Sequence, residues 1–366
     1  MKKPAISIVI PVYNRVHYFE SCITSAINQS FRDFEIIIGD DHSPDDAFKA
    51  IKNSVARLQK RPQGGGIEIK IYRNSRNLGE GKNTNHLIQI ANGKYILVLH
   101  DDDMLMPYAL EHLYTVIEKY HADVVHGMAR FDAKSSDIST ISNKNIIPII
   151  HDRIPVREIT VIPNDPITRF NEFYYLGTFM DIQYNLFKKE FLIDNEIYFE
   201  QFAGRGIGGP TLLSLHWIMK SKIFVKTTVP FYIHRNAPDS TSSKILSHND
   251  IEADLEKTID RLFNISRYLD VLLQRMDFFK DNELYKDMAK WRIFLTSEDW
   301  AIHGSGFYRN GISPEIYRAV KNSLKKYCGN DYTYVAFLFH YIHELKCGRN
   351  PGEDFFHLSQ LKDQNL

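Results

Sequence analysis

Five short apolar runs constrain this chain most: Ile6 to Ile10, Phe34 to Ile38, Ile67 to Ile71, Tyr95 to Leu99 and Asp123 to Val125, each bounded by polar or turn residues. The segments between them repeat apolar residues at helical spacing. Phe19, Ile23, Ala26 and Ile27 form one such set, and Leu110, Leu113, Val116 and Ile117, behind Pro107, form another. Alternating buried strands and one-sided helices can close a core in few ways. The pattern predicts an α/β fold, an open and mostly parallel sheet with helices on both faces, whose ligands bind beyond the carboxyl ends of the strands.

From Ala133 to Asp165 the periodicity is lost, which predicts a long excursion beside the site. Aromatic and apolar segments resume at Phe170 and end in Phe224 to Tyr232, read as one further strand. Past Ser240, the stripe Leu255, Ile259, Leu262, Leu269, Leu273 and Met276 predicts helices, continued by aromatic stretches around Trp291 to Ile302 and Tyr332 to Leu345. The expected organisation is an α/β domain over 1–245 that carries the ligand site and a helical C-terminal domain over 246–366. The second domain is expected to cover apolar surface of the first or to pair two copies as a homodimer.

Charge and cysteine usage narrow the setting. The 45 lysines and arginines balance 45 acidic residues, so no net field draws the chain to nucleic acid or to an acidic membrane. Cys22, Cys328 and Cys347 are odd in number, which argues against a disulfide framework and for a reducing compartment. Ile6 to Ile10 is too short for a signal core, and no stretch approaches the roughly 20 apolar residues that span a bilayer. The expected location is the cytoplasm, with at most peripheral contact with the inner membrane face.

The chemistry concentrates in the run Leu99 to Met104, where Asp101, Asp102 and Asp103 directly follow a buried strand. Adjacent carboxylates repel unless a cation or hydrogen-bond donors compensate. Mn²⁺ or Mg²⁺ suits such a place, because it takes one or two carboxylates together with the oxygens of a diphosphate. The same run also suits a solvated loop capping the helix near Pro107. What favours the metal is the company it keeps. The first strand ends in Pro11 to Arg15, with Tyr13 placed to stack on a base, and the second ends in Gly39 to Ser43, with carboxylates placed to accept from a base or ribose. Arg76 to Asn83 then brings Gly79 and Gly81 ahead of a helix, where backbone amides can approach a nucleotide. Together these strand ends predict a site for a nucleoside diphosphate.

In order and spacing, the runs Ser7 to Arg15, Ile38 to Ser43, Arg76 to Gly79 and Gly93 to Asp103 resemble the motifs of the GT-A fold glycosyltransferases of family 2. The resemblance covers about residues 4 to 130. It implies an inverting enzyme that moves a sugar from a nucleoside diphosphate donor, often a uridine one, to a glycan or lipid-linked glycan acceptor in bacterial surface polysaccharide synthesis. It also implies that Pro11, Tyr13, Arg15, Asp41, Asn77, Gly79, Lys82 and Asp101 serve the nucleotide, while Asp102 binds metal with Asp103 close by. His100 stands where many members carry another aspartate. The late run Tyr232 to Ser240 resembles the segment that closes over the diphosphate, which would bring Arg235 to phosphate and His234 to the metal.

In such an enzyme the metal neutralises the leaving diphosphate while a base takes the acceptor hydroxyl proton. Family members commonly carry a Glu-Asp pair at the start of a late helix. Matching that helix to Leu213 to Ile223 puts Gly209 and Pro210 in place of the pair, which leaves Glu200, Asp181 and His216 as base candidates. The missing pair keeps open a non-catalytic glycan-binding or scaffold protein on the same fold, against which the intact acidic triplet argues. A nucleotidyltransferase is disfavoured, since Pro11 to Asn14 replaces a glycine-rich phosphate loop.

Overall fold

The computed structural model describes residues 3–133, 146–150, 158–175, 182–199, 209–235, 268–286 and 289. In chain order the first elements are β1 (Ile6–Val12), α1 (Val16–Ile27), β2 (Phe34–Asp40), α2 (Asp45–Gln59), β3 (Glu68–Arg73), α3 (Glu80–Ile90), β4 (Tyr95–Val98), β5 (Met104–Leu105), α4 (Ala109–Tyr120) and β6 (Val124–Gly127). They are followed by β7 (Ala129–Ala133), β8 (Ile146–Ile150), β9 (Ile159–Ile162), α5 (Pro166–Tyr175), β10 (Asn185–Lys188), α6 (Lys189–Asp194), α7 (Gly209–Lys220), β11 (Phe224–Thr227) and β12 (Tyr232–Arg235).

Eight strands form the main sheet in the order β3-β2-β1-β4-β10-β6-β11-β9. β3, β2, β1 and β4 run parallel, as do β6 and β11, whereas β10 is antiparallel to both β4 and β6 and β9 is antiparallel to β11. The apolar runs are continuous because helices cover both faces of the sheet. Every residue of β1 is buried, yet its side chains alternate. Ile6, Ile8, Ile10 and Val12 join the core under α1, α2 and α4, while Val9 points to the core under α3, α5 and α7. The five expected strands correspond to β1, β2, β3, β4 and β6.

Two expectations need correction. Phe224 to Tyr232 is not one strand. Pro230 has no amide to donate to a ladder, and the chain leaves the main sheet after β11 to enter a second, four-stranded sheet ordered β5-β12-β7-β8. The excursion from Ala133 to Asp165 likewise holds β8 at the edge of the small sheet, where Pro148 is tolerated opposite Phe131, and β9 at the edge of the large one.

The described part of the C-terminal stripe packs onto the sheet. A helical stretch over 268–274 and the short helix Asp277–Lys280 place Leu269, Leu273, Met276 and Phe279 in the same buried cluster as Phe170 and Phe173 of α5. Ring centroids of Phe170 lie 5.9 Å from Phe279 and 5.1 Å from Tyr285. Leu255, Ile259, Leu262, Trp291 to Ile302 and Tyr332 to Leu345 lie outside the described residues. Among the described residues no helix is long and apolar enough to cross a membrane.

Candidate active site

β1, β2 and β4 end on one rim, and the turns that follow them are stitched to each other. After β1, Asn14 takes a left-handed φ of 55°, which asparagine tolerates, and its N–H donates to Ser43 Oγ at 2.9 Å. The Ser43 amide in turn faces the buried Asp40 carboxylate at 3.3 Å, and Arg73 Nε lies 3.2 Å from the same group. Tyr13 is left half-exposed at this rim, with a relative exposure of 50%. Pro11 is buried and in register with Gly39 of β2.

Asp41 is buried and holds the loop before α3. Its carboxylate accepts from Asn74 Nδ2 at 2.8 Å and from the amides of Leu78 and Gly79 at 2.8 and 2.7 Å. Gly79, at φ 85°, occupies backbone space that suits glycine, and its amide also lies 3.1 Å from Asn77 Oδ1. Lys82 stands exposed on α3. Three donors therefore already meet Asp41, and a carboxylate with about four lone-pair positions has room for one more partner.

The acidic triplet forms the floor of the rim. Asp101, Asp102 and Asp103 are all buried. The Tyr13 amide donates to Asp101 Oδ2 at 3.3 Å, and Arg15 Nη1 lies 3.5 Å from Asp101 Oδ1 while pressing more closely on Asp102 Oδ2. Burial first, then the neighbouring Asp102 charge, pushes the Asp101 carboxyl up to about 8, despite the opposing pull of Arg15 and the Tyr13 amide. Asp103 is raised for the same two reasons, against the pull of His234 and His100. Arg15, with Arg235, His100 and His234 also acting on the triplet, does not offset the burial and mutual repulsion of Asp101 and Asp103, and three adjacent carboxyls whose ionisation is held back in this way fit a divalent cation.

Asp103 is also a strut. β12 pairs with β5, the strand that directly follows the triplet, and this brings the Tyr232 hydroxyl to Asp103 Oδ2 at 2.8 Å and the Arg235 amide to Asp103 Oδ1 at 2.8 Å. The Tyr232 oxygen accepts from the His100 amide at 3.3 Å, and the Cys22 thiol donates to the His100 carbonyl at 3.3 Å. The His100 ring is half-buried. Its Nε2 lies 3.3 Å from Glu80 Oε1 at the start of α3, and its Nδ1 lies 4.0 Å from Asp103 Oδ2. His100, Asp102 and Asp103 can each bring one ligand atom within 4.8 Å of the others.

The structure thus gathers Pro11, Tyr13, Arg15, Asp41, Asn77, Gly79, Asp101, Asp102 and Asp103 along three neighbouring strand ends and the loop they hold. His234 acts on Asp103 through its charge. Arg235 is placed differently from its neighbours, with its guanidinium buried toward α1, 4.9 Å over the Tyr18 ring and 2.6 Å from Ser21 Oγ, so that it is the backbone amide that meets the triplet. His216 lies buried in α7, where burial lowers it to about 4 and the charges it feels are Lys220 and Arg275 rather than any group of the rim. Asp181 and Glu200 lie outside the described residues. Tyr232, Ser43 and Cys22 were not singled out from sequence for this role. None of the three adjoins the triplet in sequence, so none carried a signal that could have been read.

Residues 7–181 match the family model described as glycosyl transferase family 2. This region belongs to the family 2 glycosyltransferases. Glycosyltransferase GlyG of Streptococcus pneumoniae is 26% identical over 303 residues, spanning 81% of this chain and 92% of that protein. The poly(ribitol-phosphate) β-N-acetylglucosaminyltransferase TarP of Staphylococcus aureus is 27% identical over 252 residues, 68% of this chain and 67% of its own length. In fold, the chain resembles residues 1–349 of S. aureus TarS in complex with UDP-GlcNAc, with a TM-score of 0.58 at 17% identity, covering 93% of this chain and 88% of that one. The family 2 segment contains the whole rim made by β1, β2 and β4, whereas Tyr232 and Arg235 lie beyond its last matched residue.

Proposed function

We propose that the chain is an inverting, metal-dependent glycosyltransferase that moves a sugar from a uridine diphosphate donor to a glycan or lipid-linked glycan acceptor in surface polysaccharide synthesis, working in the cytoplasm or at the inner membrane face. The observation that carries this reading is the half-exposed Tyr13 ring on the same rim as three adjacent buried carboxyls, two of which are held back from ionising by burial and by their neighbour. GlyG, a glycosyltransferase, TarP, a β-N-acetylglucosaminyltransferase, and the UDP-GlcNAc bound in TarS support the same class of reaction.

In this reading Tyr13 stacks on the base, Asp41 accepts from it, and Asp101 holds the ribose. Asp102, with Asp103 close by, would hold a Mn²⁺ or Mg²⁺ ion, which would supply charge neutralisation for the departing diphosphate. Arg15, beside Asp101 and Asp102, would offer its planar fork to a phosphate oxygen of the donor. Lys82, exposed at the head of α3, adds positive charge on the approach. The acceptor hydroxyl oxygen attacks the anomeric carbon, the bond to the diphosphate oxygen breaks, and a base takes the hydroxyl proton. His216 suits that base poorly, being buried and with little affinity for a proton at neutral pH. Asp181 and Glu200 remain the assigned candidates.

Calorimetric titration of UDP with and without Mn²⁺, on the native chain and on Asp102→Ala, tests the reading. Binding that needs Mn²⁺ and is lost in the variant is the expected outcome. UDP binding that ignores both metal and substitution would remove the cation from the site, and absence of binding to any nucleoside diphosphate would remove the donor.

A further inference from the structure

The cation site itself departs from a plain carboxylate cluster. We infer that His100 is a metal ligand through Nδ1, held by Glu80, so that this chain binds its cation in a mixed imidazole and carboxylate site that favours Mn²⁺ or Co²⁺ over Mg²⁺. The inference deepens the metal-dependent reading above and rests on it.

Three observations support it. First, the ring is oriented from behind. Nε2 lies 3.3 Å from the Glu80 carboxylate, which favours a proton on that nitrogen and directs Nδ1 to the other side of the ring, toward Asp103. A carboxylate behind a histidine whose second nitrogen faces a cation is the arrangement that fixes tautomer and ring orientation in metal sites generally. Second, Nδ1 faces Asp103 Oδ2 across 4.0 Å, a gap at which both atoms can lie about 2.0–2.2 Å from one ion. Asp102 brings its own oxygen within the same 4.8 Å group. Third, His100 is anchored at both backbone ends, its amide on Tyr232 and its carbonyl on the Cys22 thiol, so the imidazole is carried on a fixed base.

The choice of ion follows from the donor set. Mg²⁺ is hard, demands near-octahedral oxygen coordination and gives up water reluctantly, whereas affinity for nitrogen donors rises along the first transition row. A neutral imidazole beside Asp102 and Asp103 brings a borderline nitrogen donor and no negative charge, where a third carboxylate would bring a hard oxygen and a charge. Such a donor set costs Mg²⁺ more affinity than Mn²⁺.

Pulsed electron paramagnetic resonance on the Mn²⁺-loaded full chain reads the ligand directly. The native protein is expected to show nitrogen coupling to Mn²⁺ that changes isotope pattern when histidine is supplied as [15N]histidine. The coupling is expected to vanish in His100→Asp, with His100→Asn as a second variant in case the first fails to fold, and to survive in His234→Gln. Glu80→Ala is expected to weaken Mn²⁺ binding about 10- to 100-fold by calorimetry without shifting the melting temperature, as loss of a partner behind a ligand does. In His100→Asp, Mg²⁺ should displace Mn²⁺ at lower concentration than in the native chain. Bound Mn²⁺ without nitrogen coupling, or coupling that disappears in His234→Gln instead, overturns the assignment while leaving the donor reading intact. If Mn²⁺ does not bind at all, the inference falls together with metal dependence, and UDP titration in the absence of metal shows whether the donor site survives.

Discussion

At the scale of single residues, Tyr13 and Tyr232 are two tyrosines with opposite duties. Tyr13 touches the triplet only through its backbone and leaves its ring to solvent. Tyr13→Ala should therefore leave the melting temperature near native and lower UDP affinity by about 1–3 kcal/mol, the worth of one base stacked on an aromatic ring, measured by calorimetry. Tyr232 is fully buried, and Tyr232→Phe removes the hydroxyl that Asp103 accepts from. That variant should lose about 1–3 kcal/mol in urea unfolding and bind Mn²⁺ more weakly, because a buried carboxylate is left with one donor fewer. Tyr13 and the triplet were legible in sequence because both adjoin apolar runs. Tyr232 was not, since the pairing that brings it to Asp103 joins residues 129 apart and depends on β12 lying beside β5. Arg235 shows a different limit. Proximity to a strand end can be read from sequence, but His234 and Arg235 leave a strand on opposite faces, and the packing of α1 decides which one turns inward.

The strands and helices were the more legible level, because a buried parallel strand writes itself as an unbroken apolar run. One element contains a polar exception. Glu35, inside β2, is buried and gathers the Ser7 hydroxyl at 2.7 Å, the Asn92 amide at 2.6 Å and Lys70 Nζ at 3.0 Å, tying β1, β2, β3 and the end of α3 together. Burial alone would raise its carboxyl, but those donors outweigh it and leave it below its ordinary value of 4.5. A carboxyl lowered in the fold contributes stability above its unfolded pKa and loses it as pH falls through the folded one. Glu35→Gln should thus destabilise the chain at pH 7 and flatten unfolding free energy on the acid side of 4.5, read by urea titration across pH. The same knot forbids a side chain at position 93. A Cβ on Gly93 would sit 2.5 Å from the Ser7 nitrogen and 2.7 Å from the Ile6 carbonyl carbon, both backbone, so Gly93→Ala should cost roughly 1–3 kcal/mol in the same assay. What the runs did not reveal was β10, because strands read in chain order are assumed to neighbour one another, and nothing in four residues announces that they will enter between β4 and β6 with reversed direction.

Across the whole molecule, acid should act first through buried histidines. His126, hydrogen-bonded to Asn185 at 2.8 Å, and His216 are each lowered by burial from 6.5 to about 4. The unfolded chain then binds protons that the folded chain refuses, so stability is full above 6.5 and falls as pH drops toward 4, by on the order of 3 kcal/mol for each group. Melting temperature measured from pH 7.5 to 4.5 should decline along that window, and His216→Gln should remove part of the decline. The position of β10 has a further consequence, one that concerns how the polypeptide comes to exist. The segment recognisable by its family ends at residue 181, just before the strand that joins the two halves of the main sheet. As the chain leaves the ribosome, β4 waits with an apolar open edge until residues 185–188 emerge, and an open edge is a template for pairing with other chains. A protein cut where its family likeness stops should therefore be made as inclusion bodies, because the cut falls through the middle of the sheet rather than at its border.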